Sequence, residues 1–260
     1  MTLRAIRVLK EVAAIACEDT RQTQKLLDHY GIRKPLVSYH EHNEQARTAD
    51  LIARLEGGQD IALVTDAGTP LISDPGYRIV RAAAEAGIAV VPIPGACASI
   101  IALSASGLPT DQFRFCGFLP PKQGQRRHQL ESLKEETATL VFYEAPHRIL
   151  ETLDDVAAVL GQREVVVARE LTKLHEEFLR GTPAEVHATL SARPSVKGEI
   201  TLLVAKSSGP VVVDEPVEAA VERLEATGLS RMDAIKQVAK SRGLPKRSVY
   251  EAMQRRDAEE

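Results

Sequence analysis

Leu3, Ile6, Val8, Leu9 and Val12 recur at helical spacing, so the chain opens on an amphipathic helix. Ala13 to Ala16 reads as a short strand that runs out at Glu18-Asp19-Thr20, and a helix follows to Tyr30, stopped at Gly31. Leu36 to Tyr39 is a strand, and a helix from about Gln45 ends at Gly57-Gly58. Two apolar runs then end in breaker clusters. Ile61 to Asp66 leads into Ala67-Gly68-Thr69-Pro70 and Ser73-Asp74-Pro75-Gly76, and Ile88 to Ile93 leads into Pro94-Gly95-Ala96. Each run reads as a buried strand with a turn at its carboxyl end. Helices over 77–86 and 98–106 complete a βα alternation. That order predicts a mainly parallel sheet covered on both faces. Ligands bind at the carboxyl edge of such sheets, so the two turns form a candidate pocket.

Past Gly107-Leu108-Pro109 the order becomes strand-rich. Strands are expected at 113–118, 139–143, 164–168, 176–180 and 200–205, with helices at 125–135, 147–160 and 184–192. Ser207-Ser208-Gly209-Pro210 reads as the start of a linker, and three short helices follow at 216–226, 231–242 and 246–256. Ser230 to Asp233 resembles a capping box. The fold class is therefore α/β: an α/β domain over 1–110, a second over 111–206 with a cofactor cleft between them, and a helical region over 214–260.

Composition narrows the class. Apolar residues make up 44% of 260, and no apolar run approaches 18 residues, so a membrane-spanning helix is not expected. Cys17, Cys97 and Cys116 lie in apolar surroundings without metal-like spacing and read as buried free thiols of a cytoplasmic protein. The net charge of −3 argues against a general coat of nucleic-acid contacts. Local clusters differ. Between Leu229 and Arg256 eight basic residues face two acids, a net of +6, and Lys122, Arg126, Arg127 and His128 form a second cluster. Both suit localised phosphate contact, or simply a solvated helix face.

The sequence has neither GxxxxGK nor a GxGxxG turn opening a helix, which removes the main support for nucleotide hydrolysis or dinucleotide binding. Gly68, Gly76, Gly95 and Gly198 permit close backbone approach to a ligand. His40 and His42 fall on one side of a strand, but no third ligand accompanies them, so no metal is expected. Arg169 to Lys173 follows a strand end: Arg169 and Lys173 suit phosphate, and Glu170 suits a base or its orienting partner. Tyr143 is placed to stack on a splayed base, His147 and Arg148 to hold phosphate, and Glu144 is a second candidate base. Arg21 reads equally as a phosphate contact or a structural ion pair.

Thr65 to Pro70, Ser73 to Gly76 and Pro94-Gly95-Ala96 resemble the tetrapyrrole-methylase superfamily, which uses S-adenosylmethionine. Ala16 to Arg21, Phe142 to Arg148, Ala168 to Lys173 and Lys197-Gly198-Glu199 match in order, and the set covers almost the whole chain. Within that superfamily the pattern is most similar to the small-subunit ribosomal RNA 2′-O-methyltransferases. The resemblance implies transfer of a methyl group to a ribose hydroxyl of 16S ribosomal RNA in the small subunit, by a homodimer. It assigns the cofactor to Asp66, Gly68, Thr69, Pro70, Ala96, Ser99, Gly198, Glu199 and Thr201. Glu170, Lys173 and Glu144 fall to catalysis. Arg21, His40, Tyr143, His147, Arg148 and Arg169 fall to the RNA.

Members of the superfamily carry a strand and a Thr-Pro-Ile-Gly-Asn-like loop ahead of the segment matching Thr2 to Ala5, whereas here Met1 directly precedes Thr2. That difference implies an open edge on the neighbouring strand. It keeps two rivals in view: a small-molecule acceptor such as a tetrapyrrole, and an inactive truncated RNA-binding copy.

Overall fold

The computed structural model describes residues 1–207 and 216–257; Ser208-Gly209-Pro210 of the expected linker lies outside the described residues, as do the side chains of Lys240, Ser241, Arg256 and Asp257. The order is α1 (Leu3–Glu11), β1 (Ala14–Cys17), α2 (Thr20–His29), β2 (Leu36–Ser38), α3 (Glu44–Glu56), β3 (Ile61–Val64), α4 (Tyr77–Glu85), α5 (Ala98–Ser106). Then come β4 (Phe113–Phe118), α6 (Gln123–Ser132), β5 (Thr139–Glu144), α7 (Ile149–Leu160), β6 (Val165–Arg169), β7 (Glu177–Gly181), α8 (Pro183–Ser191) and β8 (Ile200–Val204). Three helices close the chain: α9 (Val217–Ala226), α10 (Arg231–Ser241) and α11 (Lys246–Asp257).

The first sheet is parallel, in the order β2-β1-β3. All four residues of β1 are shut off from solvent. Successive side chains of a strand point to opposite faces. Ile15 packs with Leu9, Val12, Leu27 and Ile32, and Ala16 with Tyr39, Leu51 and Ile79. That double coverage is why β1 is apolar throughout.

The second sheet runs β4-β5-β8-β6-β7. Only β4 and β5 are parallel; β8 lies antiparallel between β5 and β6. Leu140, Phe142, Val165, Val167, Leu202 and Val204 form one face, packed with Leu130, Leu153, Val156 and Leu190 of α6, α7 and α8. Val141, Val166, Ala168 and Leu203 form the other, packed with Ala102 and Leu103 of α5. The helix that ends the first half of the chain thus covers the second sheet. The chain divides into two compact units, Met1–Lys206 and Ser207–Glu260. The second has its own core of Val221, Ile235, Val238, Val249 and Met253.

Three expectations are corrected. Ile88 to Ile93 forms no strand; Val90 and Val91 are exposed. Among the described residues no strand pairs with it, and Pro92 and Pro94 lack the N–H that a ladder needs. In the basic cluster of α6, Arg126 turns inward and is 1% exposed. Its Nε meets Asp155 Oδ2 at 2.6 Å, and Arg127 Nε meets Oδ1 at 2.6 Å. The third concerns the thiols, which are free as expected: only Cys17 is buried, while Cys97 and Cys116 are half-buried.

Candidate functional site

Six segments of the first unit converge on one cavity of ≈ 610 Å³. That volume suits a mid-sized ligand. The segments are the loop after β3, the start of α5, the ends of β4 and β5, the loop after β6 and the entry to β8. Register explains the convergence. Ile200, at the start of antiparallel β8, pairs with Glu144 at the end of β5 and with Arg169 at the end of β6. One strand's beginning therefore meets two strands' ends.

The backbone is strained at this place. Among the described residues, the four non-glycine residues with left-handed φ are Leu71, Ser73, Glu170 and Thr172, all on the loops after β3 and β6. Such conformations cost of order 1–3 kcal/mol each and gather at functional sites. The first loop is also tightly folded: a Cβ on Gly76 would fall 2.7 Å from Leu63 Cδ2 and 2.8 Å from Leu71 Cδ1. Thr69 Oγ1 donates to the Ala96 carbonyl at 3.0 Å and joins the two glycine-proline turns.

Two charged assemblies shape the far wall. Lys173 Nζ lies 3.0 Å from Glu170 Oε1 and 3.2 Å from Glu199 Oε1, and the Glu199 N–H donates to Glu170 Oε1 at 3.0 Å. That backbone hydrogen bond, with Lys173, holds the Glu170 carboxyl below its usual range. Burial pulls Lys173 down, but its bonds to Glu170 and Glu199 win and hold the ammonium above its usual range. Glu144, nearly sealed from solvent, accepts from the Ala145 N–H at 2.7 Å, Arg148 Nη2 at 2.6 Å and Thr152 Oγ1 at 2.7 Å.

The near wall is acidic. Asp66 and Asp74 both line the cavity. Burial raises the Asp74 carboxyl, the Thr65 hydroxyl opposes this, and the charges of Asp66 and Glu199 add to the rise. Glu18, beyond β1, is raised by burial and then by Asp74 and Asp66. Tyr143 reaches the cavity with its ring edge-on to Phe115 at 5.0 Å and Phe118 at 5.7 Å.

Of the residues singled out in the sequence, Asp66, Gly68, Thr69, Ala96, Tyr143, Glu144, Lys173, Gly198, Glu199 and Thr201 line this cavity. Pro70 follows Thr69 on the same loop. Ser99 is buried behind it, its Oγ 3.1 Å from Cys97 Sγ. Arg148 is engaged with Glu144, and Arg169 with Glu177 and the Lys197 carbonyl, so both hold the wall from behind. Arg21 pairs with Asp19, the residue capping α2. His40 hydrogen-bonds with Asn43, outside the cavity lining, and His147 is exposed at the turn into α7. Among the described residues no group of three His, Cys, Asp or Glu is arranged to hold a metal. The sequence reading missed the cavity-lining Asp74 as chemistry; its signal was present in Ser73-Asp74-Pro75-Gly76, a polar residue set between two stiff turns.

Residues 1–187 match the family described as tetrapyrrole (corrin/porphyrin) methylases. The chain belongs to the tetrapyrrole methylase family. Among solved structures, the same fold appears in diphthine synthase, with a TM-score of 0.60 and 13% identity over 80% of this chain and 85% of that one. It appears also in cobalt precorrin-4 methyltransferase, with a TM-score of 0.57 and 14% identity over 79% and 88%. Sequence similarity within the tetrapyrrole methylase family is far higher to another group. The chain is 53% identical to ribosomal RNA small subunit methyltransferase I of Halalkalibacterium halodurans, over 96% of this chain and 88% of the relative. To the Bacillus subtilis protein of the same name it is 47% identical, over 97% and 88%.

Proposed function

We propose that this protein is an S-adenosylmethionine-dependent methyltransferase of 16S ribosomal RNA, acting on the ribose 2′-hydroxyl of a cytidine. The observation that carries the reading is the near full-length similarity to the small-subunit ribosomal RNA methyltransferases, at an identity well above that to the tetrapyrrole enzymes.

The cavity suits the methyl donor. Adenine needs apolar neighbours, and Ile72, Ala96, Ile101 and Leu171 are among the residues that line the cavity. Ribose and amino-acid groups need backbone approach and polar partners; Asp66, Gly68 and Thr69 from one loop and Gly198, Glu199 and Thr201 from another supply them, with Pro70 stiffening the first loop and Ser99 buried behind Ala96. The donor's sulfonium is cationic, and Asp66, Asp74 and Glu199 give the lining an acidic balance that favours it. When bound, the donor supplies a methyl carbon that is already electrophilic. The protein's task is then to hold the acceptor oxygen in line, worth about 7–11 kcal/mol, and to take its proton.

Basic residues of the second unit supply phosphate contacts for the RNA in this reading. Two of them are tied to that unit's acids, Lys236 to Asp233 and Arg247 to Glu251, each at 2.8 Å. Tyr143, His40, Arg21 and His147 complete the proposed RNA surface. A homodimer in the cytoplasm, with the small ribosomal subunit as substrate, belongs to the same proposal.

The test is transfer of labelled methyl from S-adenosylmethionine to 30S subunits that lack the modification, followed by nucleoside analysis. Label in 2′-O-methylcytidine is expected. Label absent from RNA but present in a tetrapyrrole precursor would overturn the reading.

A further inference from the structure

We propose that the Asp74 carboxylate is the proton acceptor for the attacking ribose hydroxyl. This rests on the methyl-transfer reading above and deepens it. Of the carboxylates around the cavity, most are already engaged. Glu144 already accepts from three donors. Glu170 and Glu199 share Lys173. Asp66 and Asp74 line the cavity without a salt-bridge partner among the described residues, and of the two Asp74 is the more withdrawn from solvent.

Asp74 does not cap the helix that follows it. The helix it precedes, α4, has Gly76 as its N-cap and no side-chain cap, and the Arg78 N–H donates instead to Glu44 Oε1 at 3.1 Å. Yet the chain holds Leu71 and Ser73 at φ 72° and 65° on the approach to Asp74. Left-handed non-glycine residues gather where a backbone must place a group, and these two flank the approach to Asp74. The charged groups facing Asp74 are Glu18 at the end of β1, Asp66 at the end of β3 and Glu199 at the entry to β8, with the Thr65 hydroxyl beside it. Burial and the charges of Asp66 and Glu199 raise its proton affinity against the Thr65 hydroxyl, the direction a proton acceptor needs.

In the step itself, the 2′-oxygen forms a bond to the methyl carbon as the carbon–sulfur bond breaks. The electron pair of that bond passes to sulfur, leaving the neutral thioether S-adenosylhomocysteine. The hydroxyl proton passes to Asp74 and then to water.

The experiment compares the full chain with Asp74→Asn and Asp74→Glu. Three readouts are taken: calorimetric binding of S-adenosylhomocysteine, single-turnover methylation of methyl-deficient 30S subunits from pH 5 to 9, and carboxyl NMR titration of the unliganded protein. Expected for D74N is a rate loss of about 10²–10⁴-fold. Product affinity should stay within about threefold, and the acid limb of the rate profile should disappear, while D74E keeps that limb. The NMR titration should find Asp74 above the ordinary aspartate range. A D74N rate within tenfold of wild type, loss of binding in both variants, or a flat wild-type profile overturns the proposal alone. A wild type that binds S-adenosylhomocysteine but methylates no RNA overturns the functional reading and this proposal together.

Discussion

Gly198 is the position where one added methyl group tests the site most directly. Its φ is +95°, and a Cβ there would lie 2.5 Å from Glu170 Cγ and 2.6 Å from both Cδ and Oε1. Gly198→Ala therefore does two things. It places an L-residue in a region that costs about 1–3 kcal/mol. It also drives out the carboxylate that receives the Glu199 N–H and holds Lys173. At about 2 kcal/mol for the backbone alone, the melting temperature should fall by about 4–8 °C. S-adenosylhomocysteine affinity should fall by more than about tenfold, because the wall of the cavity moves with Glu170. Gly95→Ala is the control for stability: its backbone is ordinary and the added Cβ meets open space, so melting should be unchanged. The assay is differential scanning calorimetry with product titration, on both variants and on G198A combined with Glu170→Ala. The double variant should cost less than the sum of the singles, since the alanine removes what the new methyl strikes. Strict additivity, or a G198A protein that melts and binds like wild type, would refute the steric reasoning.

Other outcomes follow from the same kind of geometry. Arg126→Ala strips Asp155, which is fully enclosed, of its buried partner. Burial opposes that carboxyl's charge, and its bonds from Arg127, Arg126 and Gln123 outweigh burial and keep it below the usual range. Denaturant melts should show a loss of about 3–5 kcal/mol, and under 1 kcal/mol would contradict the reading. Glu177, held by Arg193 and Arg169, has its carboxyl lowered to about 2. A depressed carboxyl stabilises the fold above its unfolded value, near 4.5, and the contribution fades as pH falls from there toward 2. Glu177→Gln should cost about 1–2 kcal/mol at pH 7, with solvent screening discounted, and the gap to wild type should narrow by pH 3; a gap independent of pH would count against it. Truncation after Lys206 should leave S-adenosylhomocysteine binding within about threefold. It should also flatten the salt dependence of RNA binding, by close to one logarithmic unit for each phosphate that the removed helices neutralise; an unchanged slope would remove the second unit from the RNA surface.

Periodicity made most elements legible. The helices over 77–85 and 98–106 and the strands of the second sheet stand close to where apolar spacing puts them, because those segments have the partners their patterns require. Ile88 to Ile93 shows the limit. An apolar run announces that burial would be favourable, not that a neighbour is there to provide it. The site divides along a similar line. Glycine-proline turns locate a pocket, since backbone geometry is local. What a charged side chain does is set by what lies across the fold. Arg148 and Arg169 read as free cations in the sequence, but Glu144 and Glu177 occupy them in the folded wall. Arg126 looked like surface charge until α7 brought Asp155 against it. Asp74 was overlooked for the converse reason: nothing in its tetrapeptide tells that Glu18, Asp66 and Glu199 would gather around it.

The insertion of β8 between β5 and β6 has a consequence for synthesis. The cavity's lining begins at Asp66 and is finished only by Thr201, on the last strand to be made in the first unit. Until that strand has left the ribosome, β5 and β6 lack their shared neighbour and the Gly198–Thr201 wall does not exist. A nascent chain can assemble β2-β1-β3 early, but it cannot yet hold a nucleoside ligand. Ligand affinity then arrives late and all at once, so the methyl donor recognises finished molecules. By binding only these, it draws the whole first unit toward its folded state, by about 2.7 kcal/mol at a hundredfold excess over its dissociation constant.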